Sequence, residues 1–96
     1  MTDKMISCAI KELSAALAAT ENAGEMEEFL RSLLSQAEVK AIAARWILVK
    51  EIAQGTPQWD IAKKYALSLC KITRGSRELK KENAPFRRML EKAGCI

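Results

Sequence analysis

The chain has 96 residues, with 16 Lys and Arg against 12 Asp and Glu, a formal charge of +4 and an isoelectric point near 9.1. That is the size of one domain, 1–96, and with 5% aromatic residues its core must rest on Leu, Ile, Ala and Met, which makes a core shared between copies plausible from the outset. There is no His, the commonest general base, and Cys8, Cys70 and Cys95 are too widely spaced for a C-x-x-C metal or redox motif, so enzymatic and metal-site chemistry are disfavoured. An odd cysteine count fits three free thiols in a reducing cytoplasm. The longest apolar stretches, Ala15 to Ala19 and Trp46 to Val49, are far short of the ~20 residues of a membrane span.

Charge is divided unevenly. Residues 1–54 carry 6 basic and 8 acidic side chains, whereas residues 55–96 carry 10 and 4. The first half is the scaffold candidate, and the basic second half suits a polyanion such as DNA, although a solvated basic face has the same composition.

Every convincing period along the chain is helical, and no strand is expected. Ile6, Ile10, Leu13 and Leu17 recur at three and four residues, predicting a first helix over 3–20 with Thr2 or Asp3 as N-cap. Glu21-Asn22-Ala23-Gly24 breaks that period, and Met26, Phe29, Leu30 and Leu33 form the stripe of a short second helix. Ser35-Gln36-Ala37-Glu38 is a capping box that opens a third, whose apolar positions Val39, Ile42, Ala43, Trp46, Val49 and Ile52 run to Gly55. Thr56-Pro57 reads as N-cap and first residue of a fourth helix through Trp59, Ile61, Ala62 and Tyr65. Ser68 can cap a fifth from Leu69, and Ala84-Pro85 opens a sixth that turns Phe86, Met89 and Leu90 inward and stops at Gly94. Trp46 and Trp59 are read as packing residues.

The fourth and fifth helices fit a helix-turn-helix template that begins at Gln58. Ile61, Ala62, Tyr65, Leu67 and Ile72 fall where the two helices touch, with Ala62 small enough to allow the crossing. Ala66 stands at the turn, where Gly is usual, so the turn either avoids the left-handed conformation or is strained. Lys71, Thr73, Arg74 and Arg77 point outward and mix phosphate partners with base readers. Gly75 falls where an apolar core residue is normal. It either lets a flat ligand lie against the backbone or marks a simple kink or crowded packing.

The run Ile72-Thr73-Arg74-Gly75-Ser76-Arg77-Glu78-Leu79-Lys80, with Leu33-Leu34-Ser35-Gln36-Ala37-Glu38 and Arg45 ten residues after Ser35, resembles the tryptophan repressor family. The similarity is clearest from about Leu33 to Leu90, and Ile-Thr-Arg-Gly-Ser is its most specific phrase. The resemblance implies an all-α, six-helix intertwined homodimer with a helix-turn-helix in each subunit. Core helices over 3–54 would dimerise, 57–77 would form the helix-turn-helix, and 85–93 would return to the core. It further implies L-tryptophan as corepressor, with no metal, and a palindromic double-stranded operator controlling tryptophan biosynthesis or salvage genes.

For the ligand, the resemblance points to Arg45 and Arg74 on the two faces of the indole, Gly75 under its edge, Ser35 at the carboxylate, and the partner subunit's carbonyls at positions 32 and 34 (Ser32, Leu34) at the ammonium. Glu78 replaces a small family Ser near that ammonium. It either strengthens ammonium recognition or pairs with Arg74 at i, i+4. For DNA, the implied contacts are Gln58, Trp59, Lys63, Leu69, Cys70, Lys71, Thr73, Arg74 and Arg77. Trp59 and Ala62 stand at positions that are basic in the family, so the operator sequence does not carry over. A family-like DNA binder without corepressor and a helical protein-interaction adaptor are the alternative functions.

Overall fold

The computed structural model describes residues 1–96 and is all-helical: α1 Asp3–Ala19, α2 Ala23–Leu33, α3 Gln36–Ala53, α4 Gln58–Tyr65, α5 Leu69–Lys80 and α6 Pro85–Lys92. It divides into two units, Met1–Val39 and Lys40–Ile96.

In the first unit, each helix starts on a short polar side chain that satisfies an otherwise orphaned backbone donor. The Thr2 hydroxyl accepts from the Met5 N–H at 3.2 Å, and the Asn22 side chain accepts from the Glu25 N–H at 2.9 Å. Ala23 and Gly24 therefore lie inside the first turn of α2, although the hydrophobic period breaks there. At the start of α3 the capping box is complete. The Ser35 hydroxyl accepts from the Glu38 N–H at 3.1 Å, and the Glu38 carboxylate accepts from the Ser35 N–H at 2.8 Å. The Ser35 N–H donated to the Glu38 carboxylate, and after it the nearby Ser35 side chain, hold that carboxyl below its ordinary pKa. Neither α1 nor α2 buries a residue, and Met5, Ile6, Ile10, Phe29, Leu30 and Leu33 are all exposed.

The second unit has two apolar clusters, and α3 feeds both through consecutive residues. Leu48 joins Ile61 of α4 and Ile72 of α5, edged by Ala62, Tyr65 and Leu67. Val49, about 100° further round the helix, joins Leu79 and Leu90, edged by Trp46, Phe86 and Cys95. Val49, Ile61, Ile72 and Leu90 are wholly buried, each such side chain contributing roughly 1.5–3 kcal/mol relative to exposure. Trp46 stacks on Phe86 with centroids 5.6 Å apart, and the side-chain amide of Gln54, the residue that follows α3, donates to the Cys95 carbonyl at 2.9 Å.

Three local expectations need correction. Thr56 does not cap α4: the helix opens on Pro57, whose carbonyl accepts from Asp60 and Ile61, and no side-chain cap forms. Met89 does not turn inward. It is exposed because it lies about 100° from the buried Leu90 on the same short helix. Trp59 is no packing residue, being 76% exposed on α4.

Candidate ligand cleft and nucleic-acid face

The turn between α4 and α5 is made by Ala66 in the left-handed region, φ 53°, with the Leu67 N–H reaching back to the Ala62 carbonyl at 3.2 Å. A non-glycine residue there costs about 1–2 kcal/mol, so the turn is strained. It is held by Leu67 and Ala62 packing against the first cluster. The Ser68 hydroxyl then accepts from the Lys71 N–H at 3.3 Å and starts α5.

Helical spacing gives α5 three distinct faces. Ile72, Gly75 and Leu79 are buried. Cys70, Thr73 and Arg77 stand in solvent. Lys71, Arg74 and Glu78, at i, i+3 and i+7, flank a cleft of about 380 Å³. Its opposite wall is α3, through Ala41, Ala44, Arg45, Leu48 and Val49, with Leu67 and Phe86 completing the lining. The volume falls in the ~300–1,000 Å³ range of small-molecule sites, and the lining has their character, apolar walls with a few polar groups.

Gly75 is what lets the two walls meet. A Cβ at that position would lie 3.2 Å from Val49 Cγ2, tighter than ordinary packing, and in ordinary contact at 3.5 Å with two Leu48 carbons. Of the readings open to this glycine, crowded packing is thus present in the fold, and the glycine also lines the cleft.

The electrostatics are lopsided. The chain's ion pairs are Arg31–Glu27 and Lys81–Glu78, so the guanidinium groups of Arg45 and Arg74 have no carboxylate partner. The Arg74–Glu78 pair anticipated at i, i+4 does not form. Glu78 instead takes Lys81, one residue past the end of α5, at 2.9 Å. With side chains 43% and 59% exposed, such a pair contributes about 0–1 kcal/mol.

Of the ligand residues expected from the sequence, Arg45, Arg74, Gly75 and Glu78 are brought together on this cleft. Ser32, Leu34 and Ser35 belong to the other unit, Met1–Val39, at the α2–α3 junction. Ala41, Ala44, Leu48, Val49, Leu67, Lys71 and Phe86 were missed as cleft residues. The first two had a faint signal, a small-residue strip with Leu48 at i, i+3 and i+7.

Of the expected DNA residues, Gln58, Trp59 and Lys63 are exposed on α4, and Leu69, Cys70, Lys71, Thr73, Arg74 and Arg77 are exposed on α5. The Thr73 hydroxyl donates to the Leu69 carbonyl at 2.9 Å, which leaves its lone pairs outward as acceptors. Lys71 and Arg74 serve both the exposed surface and the cleft.

Residues 9–94 match the family described as Trp repressor protein. The chain belongs to the Trp repressor family. That family consists of DNA-binding regulators, not enzymes. Curated relatives include the Trp operon repressor homolog of Chlamydia trachomatis serovar L2, 37% identical over 73 residues that cover 71% of this chain and 78% of the relative. The homolog of Chlamydia caviae is 34% identical over 65 residues, covering 67% and 64%. No solved structure matches the chain. No group of His, Cys, Asp and Glu suited to a metal ion occurs, the three cysteines are unpaired, and no helix is long and apolar enough to cross a membrane.

Proposed function

We propose that this member of the Trp repressor family is a tryptophan-dependent transcriptional repressor that acts as a homodimer on operator DNA in the cytoplasm. The observation that carries the reading is the meeting of two unpaired guanidinium groups, Arg45 and Arg74, on one apolar-walled cleft beside Gly75. A planar guanidinium gains by lying on an aromatic face and also binds a carboxylate with two parallel hydrogen bonds. An indole amino acid presents both groups. Leu48, Val49 and Phe86 offer apolar surface to its ring, while Ser35 and the backbone at Ser32 and Leu34 would come from the dimer.

Dimerisation is assigned to the helices over 3–54, whose exposed apolar stripe on α1 and α2 suits a second copy of the chain, together with 85–93. DNA reading is assigned to 57–77 as a helix-turn-helix, with α5 in the major groove and paired half-sites about 34–36 Å apart. The corepressor acts by binding the DNA-competent arrangement more tightly than the alternatives, which couples the two affinities.

Gel shift with candidate tryptophan-gene operators is expected to show L-tryptophan-dependent binding that weakens steeply with salt. The Arg74→Ala variant is expected to lose the tryptophan response. Equal operator affinity with and without tryptophan would overturn the proposal in favour of a DNA binder without corepressor. Absence of salt-dependent DNA affinity would favour a protein-interaction adaptor.

A further inference from the structure

We propose that Glu78 reads the ligand's ammonium group and makes the cleft selective for zwitterionic amino acids over aromatic carboxylic acids, with Lys81 as the resting partner that the ligand displaces. This rests on the cleft being a tryptophan site. Three of the ionisable side chains lining it, Arg45, Lys71 and Arg74, are cationic, and Glu78 is the sole acid. The cations alone would make these lining side chains an anion site, with no charge among them to favour an amino acid over an indole acid lacking the amino group. One carboxylate among those cations changes the complement to a compact zwitterion.

The spacing fits that complement. An α-amino acid carries its carboxylate and ammonium on one carbon, so a recognising pair must place opposite charges side by side. Arg74 and Glu78, at i and i+4 on α5, are surface neighbours with Cβ atoms about 5–6 Å apart. Because they do not pair with each other, both stay available. Arg74 has no ion-pair partner, and Glu78 is engaged only by Lys81, at 3.0 Å from Oε1 and 2.9 Å from Oε2.

Lys81 lies beyond the helix end and does not line the cleft. Its pair with Glu78 is solvent-exposed on both sides, and such pairs are weak. A ligand ammonium held in a cleft partly closed to water makes the stronger partner. Binding therefore exchanges one cation for another at the same carboxylate, with no net change in the charge that Glu78 must meet. A ligand without an ammonium leaves Lys81 where it is and gains nothing from Glu78.

The test is calorimetric titration of the full-length protein with L-tryptophan and with indole-3-propionate, which lacks the ammonium. Wild type is expected to favour L-tryptophan at least tenfold. Glu78→Gln, which keeps size and polarity but removes the charge, is expected to cut that preference at least tenfold, mainly through weaker tryptophan binding. Glu78→Asp is expected to retain part of it. Lys81→Ala is expected to raise tryptophan affinity two- to threefold, and a fall or no change would overturn the exchange. If both ligands bind and their ratio is the same in wild type and Glu78→Gln, the role of Glu78 is overturned while the tryptophan site stands. If L-tryptophan does not bind the wild type at all, the site reading fails and this inference with it.

Discussion

Helices α1 and α2 are amphipathic yet bury nothing, whereas α3 to α6 enclose two apolar clusters of their own. Met5, Ile6, Ile10, Phe29, Leu30 and Leu33 repeat as regularly as the core residues of the second unit, but their apolar surface stays in water. A hydrophobic period reports which face of a helix seeks cover. What covers it has to be learned elsewhere, and for the first unit the proposed homodimer would supply a second copy of the chain.

This contrast separates two kinds of stability, and variants can break it. The largest effect is expected for Ile72→Ala, which empties a wholly buried site and should cost about 2–5 kcal/mol in chemical denaturation, with that loss independent of protein concentration. Next, Ile10→Glu places a charge on the exposed stripe of α1. Losing the ~1.5–3 kcal/mol that burial of one aliphatic side chain supplies should weaken self-association tenfold or more in sedimentation equilibrium. Undiminished association would show that the stripe is not the covered face.

Ser35→Ala removes half of the capping box and should cost about 1 kcal/mol. The other half is pH-dependent. The Glu38 pKa is lowered in the folded chain, so its contribution is complete above the ordinary glutamate range and disappears as pH falls through the lowered value. NMR titration should find Glu38 to be among the most acidic glutamates, and Ser35→Ala should return it toward normal. The smallest change is expected from Ala66→Gly. It relieves left-handed strain but loosens the unfolded chain, for a net gain of less than about 1 kcal/mol in thermal melts.

Much of the fold was legible because its helix ends are chemically marked. Thr2, the Ser35–Glu38 box, Ser68 and the glycines at 55 and 94 each act where the spacing placed them, with Gly55 at φ 90° and Gly94 at φ 74°. Thr56 misled because a threonine before proline looks like a cap whether or not its hydroxyl engages. Met89 and Trp59 misled because an eight-residue helix has too few turns to fix which apolar positions face in. At the cleft, the charged lining was visible because Arg45, Arg74 and Glu78 carry distinctive chemistry. The alanines of α3 carry none, and their part in the wall became evident only when α5 lay opposite. The partner of Glu78 was hidden for another reason: Lys81, at i, i+3, lies just past the end of α5, where helical spacing no longer fixes which side chains meet.

The two indoles of the chain occupy opposite surroundings. Trp46 adjoins Arg45 and is stacked on Phe86, itself part of the cleft lining, while Trp59 projects into water from α4. Each surface thus carries its own optical label. A neutral quencher such as acrylamide should extinguish Trp59 emission first, leaving a blue-shifted remainder from Trp46. A Trp59→Phe variant would then watch the cleft alone, and a Trp46→Phe variant the exposed face of α4.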